Sequence, residues 1–166
     1  MRRAILLAGT MGMFVSAHAS EAANRAANGR ARTLKPIVIA NARPLDFGTL
    51  IAGPTAGTAT VNAATDVRSR TGGVTLAGGT PMAARFAVTG TPAVNAFITL
   101  GAVPILTRVS GTETMRVSNM TLNGGRTRRI PASGTLDVRV GGRLNLAANQ
   151  RDGLYTGSFN ITVDYP

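Results

Sequence analysis

Apolar and polar residues alternate along several stretches of the chain, which is the period-2 pattern of a β-strand. The clearest cases are residues 84–89, 94–100 and 135–140, in which apolar side chains recur at every second position. A strand with one buried face and one solvated face produces this alternation. The pattern therefore predicts strands in all three stretches.

The last part of the chain, residues 154–165, carries the longest alternation. Tyr155, Phe159, Ile161, Val163 and Tyr165 would all lie on one face of a single extended strand. The sequence therefore predicts a closing strand over this stretch, whose apolar face lines the core.

Glycine-rich pairs divide these stretches and predict turns between them. They occur at residues 72–73, 78–79, 124–125 and 141–142. No stretch of the mature chain has a convincing helical pattern. Short alternating runs separated by frequent turns predict an all-β fold with a single antiparallel β-sandwich, and a closed barrel is the second alternative.

The N-terminus has the three parts of a secretory signal peptide. A short positive region at residues 1–3 precedes an apolar run at residues 4–16, and Ala17 and Ala19 supply the small residues before a cleavage site. The signal peptide is therefore predicted at residues 1–19, with Ser20 as the new N-terminus. The apolar run falls short of the ~20 residues that span a bilayer, and a buried helix is the alternative. Export predicts a protein of the periplasm, the outer surface or the medium that does not span the membrane.

The mature chain begins with a segment that differs in composition from the rest. Residues 20–33 are rich in alanine, asparagine and arginine and contain no large apolar residue. Such a segment cannot bury enough apolar surface to fold by itself. We therefore predict a flexible N-terminal arm at residues 20–33 and a β-sandwich domain at residues 34–166.

The residue types that most enzymes use are scarce. The chain has no cysteine, and its one histidine, His18, lies in the predicted signal peptide. Cysteine nucleophiles, zinc sites with cysteine ligands and a Ser-His-Asp triad are thereby excluded. The aspartates lack the dense spacing of a calcium loop. We predict a non-enzymatic protein without cofactor or metal, and a hydrolase is the least favoured hypothesis.

The chain is strongly basic, with a net charge of +11 that becomes +9 when Arg2 and Arg3 are removed with the signal peptide. Most arginines are scattered singly along the predicted strands. The one tight cluster lies at residues 126–129, and no aromatic residue interleaves it. This spacing argues against a nucleic-acid partner. It is typical of solvated strand faces, and an anionic glycan is the alternative partner.

Three motifs carry a resemblance to a known family. They are residues 45–49 with 51–53 (LDFGT and IAG), residues 144–150 (LNLAANQ), and residues 155–159 with 163–165 (YTGSF and VDY). Together they resemble domain-of-unknown-function family 4402, which in turn is similar to the spore coat protein U and fimbrial subunit group. The resemblance covers residues 34–166.

The resemblance implies an immunoglobulin-like, pilin-like sandwich that lacks one strand. An N-terminal extension of the next subunit would complete it by strand addition, with a periplasmic chaperone and usher as partners. Leu34, Ile37, Val38 and Ile39 are then either a donor strand for another copy or the domain's own first strand. We expect a surface or pilus-like structural or adhesive subunit. The alternative is a periplasmic or surface binding module for an anionic glycan.

Overall fold

The computed structural model describes residues 25–166. The predicted signal peptide, with Ala17, Ala19 and Ser20 at its cleavage site, lies outside the described residues. Residues 25–32 are exposed and have no regular secondary structure. The compact unit is Thr33–Pro166.

The compact unit contains eleven strands, and the described residues contain no helix. The strands are β1 (Val38–Arg43), β2 (Leu50–Val61), β3 (Arg68–Leu76), β4 (Ala84–Thr89), β5 (Asn95–Leu100), β6 (Ile105–Arg108), β7 (Thr114–Leu122), β8 (Thr127–Arg129), β9 (Thr135–Leu146), β10 (Tyr155–Thr156) and β11 (Ile161–Asp164).

Strand β9 is the centre of the larger sheet. Its even-numbered residues are buried, and most of its odd-numbered residues face solvent. It pairs with β4 and β2 along one side and with β7 along the other. Beyond these, β1 pairs with β4, β3 with β2, β6 with β7, and β10 with β6, which gives eight strands in a curled half-barrel.

A second sheet has three strands in the order β11-β5-β8. Every pairing in both sheets is antiparallel. The all-β class and the antiparallel pairing predicted from the alternation are confirmed.

The small sheet packs against one half of the large sheet, and the residues between them form what we call the covered core. Strands β5 and β11 supply one side of it, and β4 and β9 supply the other. Burying each aliphatic side chain there contributes about 1.5–3 kcal/mol. The buried residues of the covered core are Ala84, Phe86, Val88, Ala96, Ile98, Ile130, Leu136, Val138, Val140 and Val163.

The other half of the large sheet has a second cluster, which we call the open core. It is formed by inward residues of β2, β3, β7 and β9 together with the segments that precede β2 and β4. No residue of the three-stranded sheet belongs to it. Its buried residues are Phe47, Ala59, Val61, Val74, Ala83, Val117, Leu144 and Leu146.

Two glycine pairs that predicted turns lie inside strands instead. Gly141 and Gly142 continue β9 as one strand of 12 residues, and both are buried. A Cβ on Gly142 would lie 2.9 Å from Cγ1 of Val117 on the neighbouring strand. Residues 72–73 likewise lie within β3. These glycines permit close approach of neighbouring strands, and the turns predicted there are wrong.

The predicted single strand over residues 154–165 is divided in two. Tyr155 and Thr156 form β10 against β6 in the large sheet, whereas β11 pairs with β5 in the small sheet. Residues 157–160 form no strand. The chain changes sheets over these residues, and Gly157 passes so close to β6 that a Cβ there would lie 2.5 Å from the carbonyl oxygen of Ile105.

Candidate functional site

A cleft of about 590 Å³ opens over the inner face of the large sheet, beside the open core. Its floor consists of inward side chains of β4, β6, β7 and β9. One wall is the chain that follows β1, and the other is the segment at residues 153–159. The main apolar residues of the lining are Leu45, Phe47, Phe86, Leu106, Met115, Val117, Leu144, Leu154, Tyr155 and Phe159.

The first wall is fixed by a short turn after β1. The Asp46 carboxylate accepts a hydrogen bond of 2.7 Å from the backbone N–H of Gly48. The backbone of Asp46 also pairs in both directions with Met82, at 2.8 and 2.9 Å. Gly48 has a φ of 66°, which favours glycine. This turn directs Phe47 into the open core and leaves Leu45 packed against both cores.

The second wall is held less firmly. Only Tyr155 and Thr156 pair with β6, and residues 157–160 have no ladder partner. The Tyr155 hydroxyl donates a 2.7 Å hydrogen bond to the carbonyl of Arg151 and accepts one of 2.8 Å from Gln150 Nε2. Leu154 is 68% exposed at the mouth of the cleft. The carbonyl of Leu154 also accepts a 2.7 Å hydrogen bond from the N–H of Val109, so the backbone contacts of this wall are concentrated at residues 154–156.

The lining of the cleft is mainly apolar. Asp46 is the one charged residue among the described residues that line it. The described part of the chain contains no group of three or more histidine, cysteine, aspartate or glutamate residues that could hold a metal ion. The site is therefore suited to burying apolar groups.

A second, shallower opening lies where the N-terminal segment passes β11. Residues 34–37 face residues 163–165 across a space of about 390 Å³. The Tyr165 hydroxyl connects the two sides, because it donates to the carbonyl of Lys35 at 2.7 Å and accepts from the N–H of Thr91 at 2.7 Å. Among residues 25–166, β11 pairs with β5 alone.

The residues predicted as donor or first strand fall on both sides of the start of β1. Val38 pairs with Thr89 and Ile39 with Val88 of the same chain. Leu34 and Ile37 precede the strand and line the shallow opening. Val38 and Ile39 thus lie in the first strand of their own domain.

The residues predicted to lie on the closing strand are divided between the two openings. Tyr155 and Phe159 line the cleft, and Val163 and Tyr165 line the shallow opening. Ile161 packs on the covered core. Phe159 also meets Phe86 edge to face, with ring centroids 6.1 Å apart.

Hydrogen bonds connect the three sequence motifs at residues 45–53, 144–150 and 155–165. The N–H of Asn149 donates to the carbonyl of Gly53 at 2.8 Å, which joins the second motif to the first. Gln150 joins the second motif to the third through its bond to Tyr155. Asn149 has a φ of 50°, a conformation that asparagine adopts more readily than most residues.

Comparison with protein families matches residues 37–165 to the family described as Domain of unknown function (DUF4402). The chain belongs to this family. The match runs from just before β1 to just after β11, so the DUF4402 domain includes every residue that lines the cleft. The family description names no activity.

Comparisons with curated proteins and with solved structures found no match. None of the described residues belongs to a helix that is long and apolar enough to cross a membrane.

Proposed function

We propose that the protein is an exported, non-enzymatic structural or adhesive subunit of the fimbrial kind. Its fold would be completed by an extended strand from a neighbouring chain. The observation that carries this proposal is the unpaired edge of β11, which pairs with β5 alone among the described residues.

The strand order supports an immunoglobulin-like assignment. In immunoglobulin-like sandwiches, strands A, B, E and D form one sheet and strands C, F and G form the other. Here β1, β4, β9 and β7 are neighbours in the large sheet, and β11 and β5 are neighbours in the small sheet. Taken in chain order, β1, β4, β5, β7, β9 and β11 correspond to strands A to F. The position of strand G would then be the unpaired edge of β11.

The two openings support the same position for an added strand. Residues 34–37 face residues 163–165 across the shallow opening. Further along, residues 44–50 face residues 153–159 across the cleft. Both openings therefore lie between the N-terminal and the C-terminal segments of the domain. A strand inserted there would pair with β11 and direct alternate side chains into the cleft.

The residues that line the cleft indicate what kind of strand could fill it. Its mainly apolar lining requires a strand with alternating large apolar residues. The arm at residues 20–33 has none, and Val38 and Ile39 are engaged in β1. We therefore assign the donor strand to another chain that carries such a segment. An unfilled edge beside apolar surface promotes aggregation, so a periplasmic chaperone would protect it before assembly.

Labelling of single introduced cysteines tests the proposal, because the chain has no cysteine of its own. Leu154→Cys places a thiol at the mouth of the cleft, and Val67→Cys is the matched control, with 68% and 63% exposure of the native residues. Each variant is labelled with a maleimide as purified monomer and in assemblies released from the cell surface. The proposal expects protection of Leu154→Cys in the assemblies only, with Val67→Cys equally reactive in both.

Two results would overturn the proposal. One is equal labelling of Leu154→Cys in both preparations. The other is an exported protein that remains strictly monomeric. Protection of Leu154→Cys could also appear in assemblies that contain only copies of this protein. The donor would then be a second copy, and the assignment of the donor strand to a different protein would be wrong.

A further inference from the structure

The outer face of the large sheet, on the side opposite the cleft, carries a concentration of arginines. The odd-numbered residues of β9 face outward there, including Asp137, Arg139, Arg143 and Asn145. Leu144 on the same strand lines the cleft. A ligand on the outer face would therefore not compete with a strand in the cleft.

Three arginines lie side by side on neighbouring strands of this face. Arg139 on β9 is opposite Arg85 on β4, which is opposite Arg43 on β1. Asp137 bonds to two of them, with its carboxylate 2.6 Å from Arg85 Nε and 3.0 Å from Arg139 Nε. Asp66 pairs with Arg43 at 2.6 Å. This row therefore has three positive charges against two negative ones.

The carboxylate of Asp137 is committed to its two arginines. Burial acts to raise its pKa, but the hydrogen bonds from Arg85 and Arg139 outweigh that effect and lower the pKa. The Asp137 carboxylate therefore stays ionised at neutral pH. Because it is bonded to Arg85 and Arg139, it does not neutralise the other arginines of this face.

Further along the same face lie two arginines whose guanidinium groups have no hydrogen-bond or ion-pair partner in the described part of the chain. Arg143 lies opposite Thr60 on one side and Ser118 on the other. Arg116 lies opposite Asn145. Both arginines are exposed. They are diagonal neighbours on adjacent strands, a relation that places residues roughly 7–8 Å apart.

Neutral polar groups surround the two unpaired arginines. The hydroxyls of Thr58 and Thr71 lie 2.7 Å apart, and the Ser118 hydroxyl accepts from Asn145 Nδ2 at 3.1 Å. Thr58 is also opposite Asn145. Two like charges at this separation repel each other, and an anionic group placed between them would relieve that repulsion. Hydroxyl and amide groups beside guanidinium groups can bind both the acidic groups and the hydroxyls of a sugar polymer.

We propose that the outer face of the large sheet binds an acidic polysaccharide through Arg116 and Arg143, with Asn145, Thr58 and Ser118 contacting the sugars. No aromatic residue stands at the outward positions of β2, β7 and β9 that form this surface. Recognition of single-stranded nucleic acid relies on stacking of bases on aromatic side chains. The surface therefore favours a polysaccharide over a single-stranded nucleic acid, and duplex DNA is distinguished by the test.

The test compares two double variants of the mature protein that remove the same charge. Arg116→Gln with Arg143→Gln removes the two unpaired arginines of the outer face. Arg70→Gln with Arg126→Gln is the matched control, because both residues are exposed and lie elsewhere. Arg70 is opposite the inward-facing Ala59, and Arg126 precedes β8 in the small sheet.

Binding is measured by titration against polygalacturonate at low and at physiological salt. Neutral dextran and double-stranded DNA serve as comparison ligands. We expect salt-dependent binding of polygalacturonate and none of dextran. The outer-face variant should bind at least about tenfold more weakly, since one charge-assisted contact is worth about that factor. The control variant should bind like the unmodified protein.

Three outcomes would overturn the proposal. The first is no binding of polygalacturonate at low salt. The second is an equal loss of binding in both double variants, which would indicate net charge alone. The third is tighter binding of DNA than of polygalacturonate, which would indicate a nucleic-acid surface. None of these outcomes bears on whether a strand fills the cleft, since the two surfaces lie on opposite faces of the sheet.

Discussion

The covered core and the open core lie on the same sheet, yet only one of them is closed. Over the covered core, β11 pairs with β5 through four residues, and Ile98 and Val163 pack inward from these two strands. Over the open core, the cover is the segment at residues 153–159, of which only Tyr155 and Thr156 pair with a strand. A core on this sheet is therefore closed where the covering segment forms a paired strand, and stays open where that segment is mostly unpaired.

The two cores also differ in what their boundary residues do. Leu45 and Met120 pack against both cores and connect them. Phe86 belongs to the covered core but also lines the cleft. The domain is therefore continuous across the sheet, and the larger of the two openings described lies on the side where the covering segment has few paired residues.

The largest expected contrast between the cores comes from truncating one side chain in each. Ile98→Ala removes a side chain that is fully buried in the covered core, and should lower the free energy of unfolding by about 2–5 kcal/mol. Leu106→Ala removes a half-buried side chain that already borders the cleft. It should cost about 1–2 kcal/mol, because fewer contacts are lost. Urea denaturation measures both, and equal costs would contradict the comparison.

Enlarging one side chain in each core should destabilise the domain only in the covered core. Ala96 is fully buried in the covered core, so Ala96→Leu should destabilise the domain by about 1–3 kcal/mol through overpacking. Met115 is half-buried and lines the cleft, so Met115→Phe places added volume in empty space and should leave stability unchanged or raised. The measurement is the urea midpoint at constant slope. A loss of stability in Met115→Phe like that in Ala96→Leu would show that the cleft is not available.

The covered core was largely predictable from the sequence, because its strands follow the rule of alternation. Strands β4, β5 and the first half of β9 lie where the pattern predicts them. Two of the four glycine pairs misled: Gly141 and Gly142 are buried within β9, and residues 72–73 lie within β3, whereas residues 78–79 and 124–125 lie between strands as predicted. Local sequence cannot distinguish a glycine that turns the chain from one that lets another strand approach, because the neighbour comes from elsewhere in the chain.

The cleft was not predictable in the same way. Tyr155 and Phe159 were predicted to face the core, and both line the cleft. Alternation continues through residues 154–165, but it contains no signal that the chain changes sheets between β10 and β11. The empty volume depends on how far the covering segment stands from Leu106 and Met115, which is a property of tertiary packing. Likewise, nothing in the sequence indicated that Asn149 and Gln150 would connect the three motifs.

Removing the hydroxyl group of Tyr165 or of Tyr155 should have a smaller effect on stability, and the size of the effect should differ between the two. Tyr165 bonds across 130 and 74 residues of sequence, to Lys35 and Thr91. Tyr165→Phe should therefore cost about 1–2 kcal/mol, since two long-range partners lose a hydrogen bond of about 1 kcal/mol each. Tyr155 bonds only across 4 and 5 residues, to Arg151 and Gln150. Tyr155→Phe should cost less.

Hydrogen exchange locates the effect of each tyrosine. Tyr165→Phe should increase exchange at residues 34–37, which the hydroxyl ties to β11, while Tyr155→Phe should increase it only at residues 150–156. An equal loss of stability in the two variants would contradict the difference drawn between long-range and local bonds. An unchanged exchange rate at residues 34–37 in Tyr165→Phe would contradict the role of the hydroxyl.

The smallest expected effect is a loss of folding stability at low pH that arises from Asp66, at the rim of the open core. Asp66 accepts a 2.8 Å hydrogen bond from the N–H of Ala83, which is buried in the open core, and it pairs with Arg43. The bond from Ala83 is the main cause that lowers the pKa of Asp66; burial opposes it, and Arg43 lowers the pKa further. The ionised form is therefore stabilised in the folded state relative to the unfolded chain.

A lowered pKa in the folded state fixes the direction of the pH effect. The stabilisation by Asp66 is fully present above the unfolded pKa of about 3.9, and is lost as the pH falls through the lower folded pKa. Asp66→Asn should thus lower stability at pH 7 and weaken the decline below about pH 4. Asp164→Asn is the matched control, because Asp164 is exposed on β11 beside the covered core. Thermal unfolding from pH 7 to pH 2 measures both variants. If Asp164→Asn changed the acid decline as much as Asp66→Asn, acid sensitivity would not be specific to the open core.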